Sequence, residues 1–231
     1  MSQRRIKKRP REQNDVKLEP PLVYRFLERE HIDKFQNDGQ LRLCPLTKYR
    51  EIGGIRQDGQ EGFTPHHISG PGKLSPAEAK LAFGLDNTIT IGHRASFVSN
   101  LHYPNAYLFC TSLEANSAVQ QRFGTDFFTI TNLQLFGESI VRALSNRLAV
   151  TNVLRGNVDY VRTKEKRLST AEVINDPSLV NTAYWENYFR KENSYAIEAE
   201  YRFLFMVEPS DDLVPIFLQL TQEEIRASCR F

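Results

Sequence analysis

The chain has 231 residues and a formal net charge of +2, and 40% of its residues are hydrophobic. That length suits one large domain or two small ones with a substantial core. No apolar run approaches the ~20 residues that a membrane-spanning helix needs, and the charged N-terminus is unlike a secretory signal, so we expect no membrane association. The three cysteines are widely spaced. They fit neither a disulfide framework nor a zinc pattern, which favours a reducing, cytoplasmic location.

The N-terminal segment carries most of the positive charge. Residues 1–20 contain seven basic and three acidic side chains, a net charge of +4. The segment lacks apolar periodicity and predicts a disordered basic arm ahead of a single α+β domain over residues 21–231. Six of the eight residues from Arg4 to Arg11 are basic, and such a run can bind a nucleic-acid backbone by counterion release. A solubilising tail or a localisation signal would have the same composition.

The first strand is predicted over Leu22 to Leu27, and Arg25 is its one charged residue. A cation in so apolar a strand usually has an anion nearby. A helix is expected to follow over Glu28 to Asp38, because Gly39 is suited to ending it.

Residues 53–76 are punctuated by Gly and Pro, which predicts a long loop or an ordered surface excursion. The loop contains Asp58 and Glu61, and the pair His66-His67 invites a metal interpretation for which no further Cys or His spacing provides support. Ser75 before a proline is a good start for a short helix, and Thr221-Gln-Glu-Glu224 predicts a capping box at the start of a final short helix.

The middle of the chain alternates strands and helices. One strand ends in Phe109-Cys110-Thr111-Ser112. Because nothing beside Cys110 in the sequence lowers its pKa, we interpret it as a small buried thiol rather than a nucleophile. Other predicted elements are strands over 88–91, 107–111 and 126–131, a helix over 138–147 and a hairpin turn at 155–157.

A late strand, Tyr195 to Val207, is dense in aromatic and aliphatic residues and contains no Gly or Pro. Its end is apolar enough to be buried on both faces. Glu198 and Glu200 are two residues apart, so in a strand their side chains share a face, with Arg202 following on the same face. Two carboxylates that enter a buried strand need a cleft, a cationic partner or a function. A solvated Glu-x-Glu-x-Arg edge is the alternative.

Three of these segments together resemble ADP-ribosyltransferases of the Arg-Ser-Glu type. That family carries an Arg on the first strand, a Ser-Thr-Ser-like segment on a middle strand and Glu-x-Glu on a late strand. The corresponding residues are Arg25, Thr111-Ser112 and Glu198-Ala-Glu200, with Cys110 in place of the first Ser. The resemblance implies split antiparallel sheets with flanking short helices around a cleft for NAD. NAD would be a substrate, and the reaction would require no metal.

The resemblance also implies roles for individual residues. Arg25 would bind the pyrophosphate of NAD, Glu200 would stabilise the cationic ribose, and Glu198 would position or deprotonate the acceptor. An aromatic ring from Tyr24, Phe26 or Tyr201 would stack on nicotinamide. The assigned residues are catalytic Glu200 and Glu198, and cofactor-binding Arg25, Tyr24, Thr111, Ser112 and Tyr201.

A second resemblance covers residues 22–207. It is to an uncharacterised bacterial domain family that has a Tyr-Arg-Phe first strand, an Asp-x-x-Glu-Gly-like segment and a late Tyr-x-x-Glu-x-Glu-Tyr-Arg strand. The matching segments are Tyr24-Arg25-Phe26, Asp58 to Gly62 and Tyr195 to Arg202. Such domains are often suspected in toxin or defence contexts.

Three functional hypotheses follow from the sequence. The first is an NAD-dependent mono-ADP-ribosyltransferase that modifies a nucleic acid or a protein. The second is a non-catalytic module that binds nucleic acid or protein. The third is a metal-dependent nuclease that uses Asp58, Glu61, Glu198 and Glu200 around Mg²⁺.

Overall fold

The structure is a computed structural model, and it describes residues 21–51, 63–83, 85–92, 96–102, 105–181, 186–208 and 213–231. The predicted basic arm and the loop carboxylates Asp58 and Glu61 lie outside these residues. No helix within the described ranges is both long enough and apolar enough to cross a bilayer.

The described residues form an α+β fold with short helices and mostly antiparallel strands, which confirms the predicted α+β class, while an ADP-ribosyltransferase-like arrangement of the sheets stays a prediction. The strands are β1 Val23–Leu27, β2 Gln40–Pro45, β3 Phe63–Ser69, β4 Gly72–Leu74, β5 Ile89–Ile91, β6 Ser96–His102, β7 Ala106–Ser112, β8 Asp126–Ile130, β9 Val150–Asn157, β10 Asp159–Val161, β11 Lys166–Ser169, β12 Arg190–Glu192, β13 Glu200–Val207, β14 Ile216–Gln219 and β15 Cys229–Arg230. The α-helices are α1 Arg29–Asp38, α2 Leu46–Glu51, α3 Pro76–Phe83, α4 Ser117–Phe123, α5 Leu133–Ser145, α6 Thr170–Asn175, α7 Ser178–Asn181 and α8 Gln222–Ser228, and 3-10 helices span Glu186–Phe189 and Asn193–Glu198.

Within the described ranges, strand β7 is the centre of an eight-stranded sheet. Along one side it pairs antiparallel with β13, and β9 pairs with the far side of β13. Along its other side β7 pairs with two strands in turn, β2 at Tyr107 and Leu108 and β1 at Ser112. The described residues therefore leave Phe109 to Thr111 without a strand partner on that side. We call this gap between β1 and β2 the split.

The sheet is covered on both faces. Helices α1, α5 and α8 pack on one face against aromatic side chains, among which Phe35 and Phe128 have ring centroids 4.7 Å apart. A smaller cluster around Leu108, Leu204 and Tyr188 covers part of the other face. Strand β13 is therefore buried on both faces, as its apolar sequence predicts.

The ends of three helices confirm local predictions. Gly39 ends α1 with φ 72° in the left-handed region, where glycine carries no steric cost. The Ser75 and Thr221 hydroxyls accept hydrogen bonds from the backbone N–H groups of Glu78 and Glu224 and begin α3 and α8. Each of these glutamates returns a carboxylate to the capping residue's N–H, which completes a capping box.

Two predicted irregular segments contain regular structure. Of the two alternatives for residues 53–76, a plain loop is wrong, because strands β3 and β4 lie within this range, and β3 pairs with β6 and β11 around a second apolar cluster that includes Ile68. The hairpin at 155–157 is absent because β9 continues through it, with Gly156 opposite Arg202 of β13. Pairing with a long partner strand satisfies the backbone groups that a turn would leave exposed.

Candidate functional site

A cavity of about 240 Å³ lies at the split. Its wall comes from β1, β2, β7 and β13 and from the helices that flank the split. The cavity is rich in charge and in aromatic rings. Its charged lining residues are Arg25, Lys34, Arg42, Lys191, Glu198, Glu200 and Arg202, and its aromatic ones include Tyr24, Phe26, Tyr49, Phe109 and Phe217.

Strand register explains how distant residues reach this cavity. Side chains directly opposite in paired strands share a face of the sheet. Glu200 is opposite Ser112, which is also opposite Tyr24, so the three side chains share one face although they come from three separate strands. Arg202 is opposite Cys110 on the same face. Register therefore brings Tyr24, Ser112 and Glu200 together, whereas Arg25 is opposite Phe128 of β8 and leaves β1 on the other face of the sheet.

The backbone geometry of the Glu-x-Glu segment differs from the prediction. Glu198 is the last residue of a 3-10 helix, Ala199 adopts the left-handed region with φ 41°, and β13 begins at Glu200. The two glutamates are thus not neighbours on one strand face. The turn is held by the Leu113 N–H, which donates to the Ala199 carbonyl at 2.7 Å, and by the Ser112 hydroxyl, 2.8 Å from the Glu198 carbonyl. Both carboxylates nevertheless line the same cavity.

Lys191, on β12, bridges the two carboxylates. Its Nζ lies 2.7 Å from Glu198 Oε2 and 2.9 Å from Glu200 Oε2. Arg202 forms a second, two-pronged pair with Glu200, with Nε 2.9 Å from Oε1 and Nη2 3.2 Å from Oε2. Arg122 Nη1 lies 3.5 Å from Glu198 Oε1. Arg202 is fully buried and the two glutamates are 5% and 4% exposed, so the network is largely shielded from water.

The two carboxyl groups have opposite pKa shifts. Burial by itself would raise the pKa of Glu200, but the positive charges of Arg202 and Lys191 outweigh burial and hold that pKa well below its usual value. Burial raises the pKa of Glu198, and the charge of Lys191 only partly offsets this effect. Glu200 therefore stays ionised, while Glu198 is the more ready of the two to accept a proton. Such a divergence is typical of acid–base pairs in active sites.

Cys110 lies next to this network. Burial raises the pKa of its thiol well above its usual value, and the negative charge of Glu200 acts in the same direction. The thiol form therefore predominates, which argues against a nucleophile. The side chain is partly exposed and lines the cavity, so the prediction that it is buried is only partly correct.

Arg25 occupies the split. Its Nη1 donates to the carbonyl oxygen of Cys110, and its guanidinium carbon lies 4.9 Å from the centre of the Phe109 ring. Within the described part of the chain it forms no ion pair, so the carboxylate partner expected from the sequence is replaced by a carbonyl and an aromatic face. Its Nε is buried and has no hydrogen-bond partner there. The guanidinium therefore retains a donor for a ligand.

Only some of the other predicted site residues have side chains at the cavity. Tyr24 lines the cavity, with its ring edge-on to Phe127 at 5.5 Å. Thr111 also lines it, but its hydroxyl donates to the Tyr201 carbonyl at 2.8 Å. The Tyr201 ring faces away from the cavity and packs 5.5 Å from Phe203 in the core. Ser112 and Thr111 thus position backbone, and the structure does not bring Tyr201 to the cavity.

Sequence reasoning missed several lining residues. Lys191 lies in the run Arg190-Lys191-Glu192, where no pattern distinguishes it from surface charge. Arg42 and Phe217 alternate with buried leucines on β2 and β14, and this alternation was a usable signal for an outward face. Among the described residues no group of three or more His, Cys, Asp or Glu side chains is placed to hold a metal ion.

Comparison of the whole chain with models of protein families, with curated proteins and with solved structures found no match.

Proposed function

We propose that the cavity at the split binds NAD and that the protein transfers ADP-ribose from NAD to a macromolecular acceptor. The observation that carries the proposal is the convergence of Arg25, Glu198 and Glu200 on one cavity, in the strand order that the resemblance implies. The volume lies just below the ~300–1,000 Å³ of common ligand pockets, so it suits one end of a dinucleotide better than the whole of it. The nicotinamide riboside end would occupy the cavity.

The proposed reaction breaks the bond between the ribose C1′ and the nicotinamide nitrogen, and the bonding electrons leave with nicotinamide. The ribose then carries a positive charge until the acceptor's nucleophilic atom bonds to C1′. Glu200 supports this step because Arg202 and Lys191 keep it ionised and fix its position. Glu198 supports the second step, since its raised pKa favours uptake of the proton that the acceptor releases.

A non-catalytic nucleotide-binding role is the second candidate. The observation in its favour is that Lys191 and Arg202 already neutralise both carboxylates in the free protein. A fully paired carboxylate stabilises a developing cation only if the pairing loosens when the substrate binds. Binding of NAD without release of nicotinamide would identify this role.

The experiment compares nicotinamide release and NAD affinity in the wild type, Glu200→Gln and Arg25→Ala. We expect Glu200→Gln to lower turnover by ~10²–10³-fold or more, because it removes a charge that acts chiefly in the transition state. Arg25→Ala should mainly weaken NAD binding, because the guanidinium contacts the ligand in the ground state as well.

The matched control is Glu224→Gln. Glu224 is also a carboxylate paired two-pronged with an arginine, Arg142, but it does not line the cavity. The Glu224→Gln variant should be slightly less stable than the wild type and should keep its specific activity. Because Gln at position 200 leaves the buried Arg202 without its charged partner, folding of that variant must be verified by circular dichroism at the assay temperature. If the wild type neither binds NAD nor releases nicotinamide, the proposal fails whatever the variants do.

A further inference from the structure

Two exposed residues line the cavity on the β2 side, and we call them the rim: Arg42 of β2 and Phe217 of β14. Arg42 and Phe217 are directly opposite each other in the pairing of β2 with β14, so their side chains share a face and lie close together. The Phe217 side chain is 51% exposed although it is large and apolar. An exposed ring beside a cation at a cavity opening is a combination that suits a ligand.

The positive charge of the rim comes from Arg42. Within the described ranges Arg42 forms no ion pair, whereas the two carboxylates that line the cavity are both bonded to Lys191 deeper inside. Among the described residues Arg42 therefore presents an unpaired positive charge at the opening. Arginine binds phosphate groups through its planar fork of donors.

We propose that the rim is a nucleoside-diphosphate subsite, in which the Arg42 guanidinium binds the diphosphate and the Phe217 ring stacks on the base. Strands in a sheet are about 4.8 Å apart, so Phe217 lies two strands, or roughly 10 Å, from the central strand β7. That span places the base well outside the deep charge network. It leaves the interior of the cavity to the other end of a dinucleotide.

This inference rests on the proposed function in one respect: the diphosphate would be that of NAD, with the adenine on Phe217. It assigns the phosphate contacts to a residue other than Arg25, whose guanidinium is already held by the Cys110 carbonyl and the Phe109 ring. Arg25 then faces the ribose end of the ligand rather than its diphosphate.

The test is titration calorimetry of the full chain with ADP and with inorganic pyrophosphate. Arg42→Gln should weaken binding of both ligands by about tenfold or more, because a charged hydrogen bond is lost. Phe217→Leu keeps an apolar side chain but removes the ring. It should weaken ADP binding by about fivefold or more and leave pyrophosphate binding unchanged.

Two control variants match these changes outside the cavity. Arg147→Gln removes an exposed arginine, and Phe231→Leu removes a ring that is 50% exposed, yet neither residue lines the cavity. Both controls should bind ADP as the wild type does. The inference is overturned if the wild type fails to bind ADP at millimolar concentration, or if both rim variants bind ADP with unchanged affinity.

The inference and the proposed function can fail separately. If ADP binds through the rim but NAD releases no nicotinamide, the rim subsite stands and the transferase function does not. If NAD turns over and Arg42→Gln leaves the KM for NAD unchanged, the function stands and the rim subsite is wrong. A short oligonucleotide that binds through Arg42, with no binding of ADP, would also overturn the subsite.

Discussion

At the scale of single residues, Lys191 determines how two buried carboxylates coexist. Glu198 and Glu200 would repel each other across a low-dielectric interior, and Lys191 lies within 3 Å of an oxygen of each. Burial of three charges is tolerated because every one has a close partner of opposite sign. The pKa of Glu198 stays raised because burial outweighs the charges of Lys191 and Arg122, whereas the pKa of Glu200 is lowered because Arg202 adds its charge to that of Lys191.

Replacement of this lysine gives a pH-dependent prediction. Lys191→Met should lower the free energy of unfolding by about 3–5 kcal/mol near pH 8, because the buried Glu198 then retains only the longer contact with Arg122, 3.5 Å away. A carboxyl whose folded pKa exceeds its unfolded value of ~4.3 destabilises the fold at high pH, and that cost falls as pH drops through the folded pKa. The loss of unfolding free energy caused by Lys191→Met should therefore be smaller at pH 5.5 than at pH 8.

Urea denaturation of the wild type and the variant at both pH values measures this difference. Lys73→Met is the matched control, because Lys73 is exposed on β4 and lies outside the charge network. It should change stability by less than about 0.5 kcal/mol at either pH. An equal loss of unfolding free energy in Lys191→Met at both pH values would mean that Glu198 does not take up a proton when the lysine is lost.

At the scale of elements, the turn at Ala199 is what directs both glutamates into one cavity. A strand through 198–200 would have put them on one face two residues apart, and a helix would have separated them. Instead the 3-10 helix ends in a residue with φ 41°, which is uncommon for alanine. Such a position costs an L-residue ~1–2 kcal/mol, and it persists because Leu113 and Ser112 bind the neighbouring carbonyls.

Substitution at Ala199 tests this description of the turn. Ala199→Gly should relieve ~1–2 kcal/mol of strain and lose ~0.4–1 kcal/mol through the greater freedom of the unfolded chain, for a net gain of roughly 0.5 kcal/mol. Ala199→Val should instead destabilise by more than about 1 kcal/mol, because a β-branched side chain fits this conformation poorly. The measurement is the urea midpoint of each variant. Equal stability of the two variants would show that residue 199 does not occupy the left-handed region.

Local sequence signals predicted many elements but not this turn. The caps at Gly39, Ser75 and Thr221 follow from side-chain chemistry within four residues, so they can be identified from the sequence. The Tyr195 to Val207 segment has uniformly strand-like composition, and only contacts with the distant Leu113 and Ser112 impose a turn near its start. The continuation of β9 through Gly156 likewise depends on a partner strand 46 residues away, Arg202 being opposite Gly156.

At the scale of the whole molecule, the site exists because β7 is paired by three strands from distant parts of the chain. β1 and β2 are joined by α1 and diverge along one side of β7, while β13 covers the other side. The sequence identified residues of β1, β7 and β13 that would share a cleft. It could not place Lys191, Lys34, Arg42 or Phe217 there, since their positions depend on where β1 and β2 separate.

The basic arm, residues 1–20, has a composition that predicts disorder and nucleic-acid binding. Deletion of these residues should leave the thermal unfolding midpoint unchanged, because the segment has no apolar pattern with which to contribute to a core. If the arm binds a single-stranded oligonucleotide, deletion should reduce both the affinity and its salt dependence. Loss of six basic side chains between Arg4 and Arg11 would lower the slope of log K against log salt by up to ~4 for a single strand. Anisotropy titrations at several salt concentrations measure the slope.

Arg42→Gln in the full chain is the control, since it should change the slope by less than about 1. A cooperative drop in the unfolding midpoint on deletion would show instead that the arm is part of the folded domain.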